Sequence, residues 1–149
     1  MHSSTPARRV PVFFYGSFMR PDVMARGGLV PDTVEVARLG GFQIRIDPHA
    51  SISRSDQHSI YGILVRATHE ELALLYGRDG VGVFLPEAVI VELRDGRLQP
   101  ATCYVSPAHG NAPADADYLE RLLAAAAAHG LPRWYLDHLA SFRPAAAVQ

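Results

Sequence analysis

A single cysteine, Cys103, stands among the 149 residues, so no internal disulfide can staple the chain. It sits in the apolar, strand-like run "ATCYV" and reads as a small buried thiol, because free cysteine is among the most buried residue types. No apolar stretch approaches the ~20 residues of a membrane span. The opening "MHSSTPARR" has no apolar core of the kind a signal peptide needs. A cytoplasmic location is expected, with no membrane partner. An excess of either charge is missing too: 14 basic side chains face 15 acidic ones, a net charge of −1. Nothing in that balance provides an electrostatic grip on nucleic acid or anionic lipid.

Several chemical signatures are also absent. The histidines are His2, His49, His58, His69, His109, His129 and His138, and no pair has HExxH spacing. No metal site is expected. There is no GxGxxG and no GxxxxGK[ST]. "GRDGVGVF" holds Gly-x-x-Gly-x-Gly, but it follows a helical segment rather than a strand. A hydrolase elbow would read GxSxG, and "YGSFM" has no glycine after the serine. No internal repeat and no linker divide the chain.

Hydrophobic residues make up 48% of the chain, enough for a globular core, and the length suits one domain. Val10–Tyr15 is apolar on both faces and reads as a central strand. "MRPDVMARGG" fits a short helix ending at Gly27-Gly28. Thr33–Leu39 and Phe42–Ile46 alternate as two half-buried strands joined across Gly40-Gly41. His49–Ser55 is open to strand or loop. Ser59–Ala67 is a strong strand whose Gly62 marks a bulge or a close backbone approach. Thr68 with Glu71 forms a capping-box pattern, so a helix starts there, with Leu72, Leu75 and Tyr76 on its apolar face. Ala88–Leu93 and Ala101–Val105 are strands around the turn "RDGR". Tyr118–His129 is the clearest helix, with Gly130 at its C-cap position, and Pro132–Phe142 is a second one. Strands first, with helices inserted and at the end, argue for one α+β domain around an antiparallel, barrel-like sheet.

Two places could carry chemistry. "VFFYGSFM" breaks a buried strand on Tyr15, Gly16 and Ser17, a stretch with little side chain and much backbone N–H. It suits either a loop that cradles a carboxylate or a tight strand-end turn with Tyr15 packed inside. Asp79, between Arg78 and Gly80, is either an acid in a pocket, with a raised pKa and a proton to move, or a surface turn residue capping its own backbone. Glu87, just past Pro86, reads as a surface group at a strand entry.

Four blocks, in order, resemble the gamma-glutamylcyclotransferase-like family. They are "VFFYGSFM", "ASISRSDQHSIYGILVRATHEELALLY", "DGVGVFLPEAVIVELRDGRLQPATCYV" and "YLERLLAAAAAHGLPRWYLDHL". The resemblance spans residues 10–142 as a single domain, with 1–9 and 143–149 expected to be flexible tails. It implies an α+β fold: a small closed, mainly antiparallel β-barrel with flanking helices. It also implies a reaction of the acyltransferase or lyase type. The α-amine of a γ-glutamyl amine or peptide attacks its own side-chain carbonyl, releasing 5-oxoproline and the free amine. A tethered nucleophile leaves the protein mainly to orient groups and move protons, and no cofactor is implied. By the same resemblance, Tyr15, Gly16, Ser17 and Phe18 bind the small γ-glutamyl substrate, largely through backbone N–H groups. The state of assembly is left between monomer and homodimer.

The chain departs from the family at the acid. Where the family has Leu-Asp-x-x-Glu-Gly, this sequence reads Leu75-Tyr76-Gly77-Arg78-Asp79-Gly80. The resemblance therefore places the general acid/base at Asp79, shorter than Glu by about 1.5 Å of reach. Phe84 stands where the family commonly has Tyr, and so lines the substrate site without a hydroxyl. The alternative is a catalytically lapsed small-molecule binding protein on the same fold; whether Glu87 or Glu70 folds into the pocket and replaces the missing Glu is left open.

Overall fold

The structure is a computed structural model that describes residues 8–78, 82–107 and 110–144. In chain order the elements are strand β1 (Arg9–Phe14), helix α1 (Pro21–Arg26), strands β2 (Glu35–Ile46) and β3 (Ala50–Thr68), helix α2 (His69–Tyr76), strands β4 (Leu85–Leu93) and β5 (Leu98–Val105), and helices α3 (Ala116–His129) and α4 (Arg133–Ala140). The strands close into a barrel in the order β1-β3-β2-β4-β5. Four of the five pairings are antiparallel; β1 with β5 is parallel, through Val12 beside Thr102 and Phe13 beside Cys103. Closure leaves no open sheet edge between first and last strands, and the α+β barrel expected from the sequence is the fold observed.

β1 is central as expected: Val12, Phe13 and Phe14 are all buried, so both of its faces are covered. Gly40-Gly41 is not a turn between two strands. β2 runs unbroken through it, and the register against β3 shifts between Gly40 and Phe42. Gly41 takes a φ of +87°, which favours glycine at this bulge. The extra residue explains the pattern: Ala37 and Leu39 are buried before it, Phe42, Ile44 and Ile46 after it. Without it, one of those two sets would face solvent. The segment left open between strand and loop, together with the next strand, is one strand of 19 residues, β3.

Gly62 marks a close approach. A Cβ there would lie 2.1 Å from the Phe14 carbonyl oxygen and 2.9 Å from the Phe13 ring. The capping box forms in full: Glu71 N–H donates to Thr68 Oγ1 at 3.0 Å and Thr68 N–H donates to Glu71 Oε1 at 2.8 Å. α3 starts on Asp115, which accepts from Tyr118 N–H, and ends on Gly130 at φ +82°. Buried side chains from Val12 to Leu139 form one connected core. Among the described residues no helix is long and apolar enough to cross a membrane.

Candidate functional site

The chain leaves the barrel at the end of β1, and a cavity of about 370 Å³ opens there. Phe14, Tyr15, Gly16, Ser17 and Phe18 form one wall of it. Ser17–Met19 is a single 3-10 turn, closed by Met19 N–H to Gly16 O at 2.9 Å and Arg20 N–H to Ser17 O at 3.0 Å. The N–H groups of Ser17 and Phe18 precede the first bond of that turn and have no backbone acceptor among the described residues, the Ser17 N–H lying beside the Tyr118 hydroxyl. Gly16 lies close to its neighbours: a Cβ would stand 3.2 Å from Ala50 Cβ and 3.4 Å from the Tyr118 hydroxyl. Tyr15 turns inward. Its hydroxyl donates to the Tyr104 carbonyl oxygen at 2.7 Å, and burial pushes its phenol far above the usual tyrosine range.

Tyr118, from the first turn of α3, ties this wall to the start of β3. Its hydroxyl accepts from Ala50 N–H at 3.1 Å and from Ser17 Oγ at 3.3 Å. The His49 ring packs on it at 4.6 Å, and both His49 and Ala50 line the cavity. Sequence reading missed Tyr118 and His49 as site residues. The one available signal was a hydroxyl-bearing residue opening the apolar face of the clearest helix. His49 and Ala50 reach the cavity only through the β2–β3 connection, which includes a cis Asp47-Pro48 bond, and nothing local in the sequence announces that.

Tyr76, at the end of α2, with Arg78 and Phe84 forms the facing wall. Aromatic rings run around this side: Phe18 edge-on to Tyr76 at 5.2 Å, Phe84 tilted against Tyr76 at 5.4 Å, and Tyr104 stacked on Tyr76 at 4.0 Å. Two cations, Arg20 and Arg78, also border the space. Arg20 pairs with Asp22 at 2.9 Å.

Every residue expected to bind substrate (Tyr15, Gly16, Ser17, Phe18 and Phe84) therefore borders the same cavity. Asp79, the expected acid, lies outside the described residues. No carboxylate lines the cavity among the described residues. Glu87 is instead half-buried and paired with Arg54, and Glu70 is exposed in the first turn of α2. Cys103 is fully buried, and burial pushes its thiol up to about 12, so it stays protonated and unreactive near neutral pH.

The AIG2-like family matches residues 59–139. No curated protein matches the chain in sequence. Among solved structures, one named gamma-glutamyl cyclotransferase aligns at TM-score 0.75 and 22% identity, over 95% of this chain and 92% of that one. An uncharacterized human protein aligns at TM-score 0.77 and 21% identity over the same shares, 95% and 92%. A yeast gamma-glutamyl cyclotransferase described as specific to glutathione aligns at TM-score 0.63 and 15% identity, over 91% of this chain and 95% of that one. The fold is shared across all three, and the resemblance read from the sequence holds at the level of family.

Proposed function

The chain belongs to the AIG2-like family, and from that premise we propose that its cavity cyclises a γ-glutamyl amine or peptide to 5-oxoproline. One observation carries the reading: the loop Tyr15–Phe18 and Phe84, far from it in sequence, border one cavity at the end of β1. The solved neighbours named for this activity support it through the fold.

The N–H groups of Ser17 and Phe18 hold the α-carboxylate of the glutamyl group, and the positive charges of Arg20 and Arg78 favour an anion there. The free α-amine then lies near its own γ-carbonyl, and the attack is intramolecular. The amine nitrogen bonds to the γ-carbonyl carbon, the bond from that carbon to the leaving nitrogen breaks, and one proton passes between the two nitrogens. No water is consumed. Asp79, one residue beyond Arg78, is the group to which we assign that proton transfer.

The second reading, a binding protein without turnover, is favoured by the aspartate in place of glutamate and by Phe84, which brings a ring without a hydroxyl to the cavity. The deciding assay is 5-oxoproline release from γ-glutamyl amino acids, γ-glutamyl-ε-lysine and glutathione, using wild type, Asp79→Asn and Asp79→Glu. Release by wild type, cut about a hundredfold or more in Asp79→Asn, is expected of a general acid/base. Release only by Asp79→Glu supports the second reading, and equal release by Asp79→Asn removes Asp79 from the mechanism.

A further inference from the structure

Three tyrosine hydroxyls belong to the residues around the cavity, and they differ in what they are already doing. Tyr15 donates its hydroxyl hydrogen bond to Tyr104 O. Tyr118 is engaged by both Ser17 and Ala50. Tyr76 has no hydrogen-bond partner among the described residues. Its oxygen is also not sealed away: among the described residues the buried side-chain polar atoms without a hydrogen-bond partner are Asp47 Oδ2 and Tyr135 OH. The phenol of a cavity-lining residue that keeps some exposure and has no hydrogen-bond partner among the described residues is a donor available to a ligand.

The ring around that hydroxyl is fixed. It stacks on Tyr104 with an interplanar angle of 19° and meets Phe18 edge-on. Phe18 belongs to the substrate loop, so the hydroxyl and the loop donors are set relative to one another by direct packing. Burial, with Tyr15 and Cys103 close by, pushes the Tyr76 phenol far above the usual tyrosine range. It therefore keeps its proton at any working pH and acts as a hydrogen-bond donor, not as an acid.

We propose that the Tyr76 hydroxyl donates a hydrogen bond to the γ-carbonyl oxygen of the substrate and to the oxyanion formed there when the α-amine attacks. This rests on the cyclotransferase reading above. As the bond from the amine to the γ-carbonyl carbon forms, the carbonyl π electrons move onto oxygen. When the bond to the leaving nitrogen breaks they return. Tyr76 gives up no proton at either stage, so its contribution is electrostatic and is greatest where the charge is greatest. The donor comes from the wall opposite the loop and does not depend on Phe84.

The test is Tyr76→Phe, which keeps the stacked ring and removes a hydroxyl with no hydrogen-bond partner among the described residues. Its thermal midpoint should match wild type. 5-Oxoproline release should fall in kcat by about a hundredfold, the usual loss for one oxyanion donor, with KM changed far less and the pH profile unmoved in shape. Equal kcat in the two proteins overturns the role of Tyr76 and leaves the reaction standing. The second measurement is calorimetric titration with 5-oxoproline, whose lactam oxygen is the former γ-carbonyl oxygen. If wild type turns nothing over but binds 5-oxoproline, about tenfold weaker binding by Tyr76→Phe supports the contact while the enzymatic reading fails. Equal binding overturns the contact. A wild type that neither turns over nor binds overturns both.

Discussion

The Tyr15 hydroxyl donates to the backbone carbonyl of Tyr104 at 2.7 Å, from the end of β1 to β5 on the far side of the parallel seam. That bond turns the side chain of Tyr15 into a strut. The ring becomes cavity wall, and the backbone that follows is free to present Gly16, Ser17 and Phe18.

Tyr15→Phe should therefore act on stability first. It leaves the Tyr104 carbonyl without its donor, which costs about 1–3 kcal/mol for a buried group. Denaturant unfolding should show a lower midpoint with an unchanged slope. An unchanged midpoint would mean that water replaces the hydroxyl.

Gly62→Ala should be among the most damaging single substitutions in the chain. The new Cβ would meet the Phe14 carbonyl oxygen at 2.1 Å, and a backbone atom cannot rotate away. Overpacking of this kind costs typically ~1–3 kcal/mol and sometimes more, and the expected loss lies at or above the upper end. Gly96→Ala is the control: φ there is +87° with no atom near the new Cβ, so only backbone strain is added, about 1–2 kcal/mol. Equal midpoints for the two variants would contradict the close crossing of β3 over the end of β1.

Stability should fall in alkali with a known sign. Cys103 titrates near 9.0 when unfolded and is pushed up to about 12 in the fold by burial. Between those values the unfolded chain has released the thiol proton and the folded chain has kept it, so stability declines as pH rises across that window and is undiminished below it. Tyr15 and Tyr76 are shifted the same way and add to the decline at higher pH. Cys103→Ala should flatten the first part of the slope, measured as denaturant midpoints at about pH 8 and about pH 10. Rapid reaction of a thiol reagent with the native protein would contradict the burial that underlies it.

Much of this architecture was legible residue by residue. Thr68 and Glu71 carry a capping box in plain spacing, and the helix begins where they place it. β1 reads as a central strand because no polar residue interrupts Val12–Phe14, and it is buried on both faces. Gly62 announced a bulge or a close approach, and the structure shows the second, the crossing with Phe14. Gly40-Gly41 misled because a paired glycine between alternating runs signals a turn and a bulge alike. What separates them is the burial parity on either side, odd before and even after, which only the partner strand makes meaningful. The loop side of the cavity was readable from Tyr15-Gly16-Ser17. Tyr118, His49 and the free hydroxyl of Tyr76 were not, because each reaches the cavity through tertiary packing of a helix end or a turn, and their local sequence fits an ordinary amphipathic surface equally well.

The most direct test of the site itself is independent of turnover. Backbone amide resonances of the isotopically labelled protein would be followed during titration with 5-oxoproline. The account predicts saturable shifts concentrated at Gly16, Ser17, Phe18 and Ala50, with the outer barrel around Arg94 and Arg97 unmoved. No shifts at the end of β1, or saturable shifts centred elsewhere on the barrel, would contradict it.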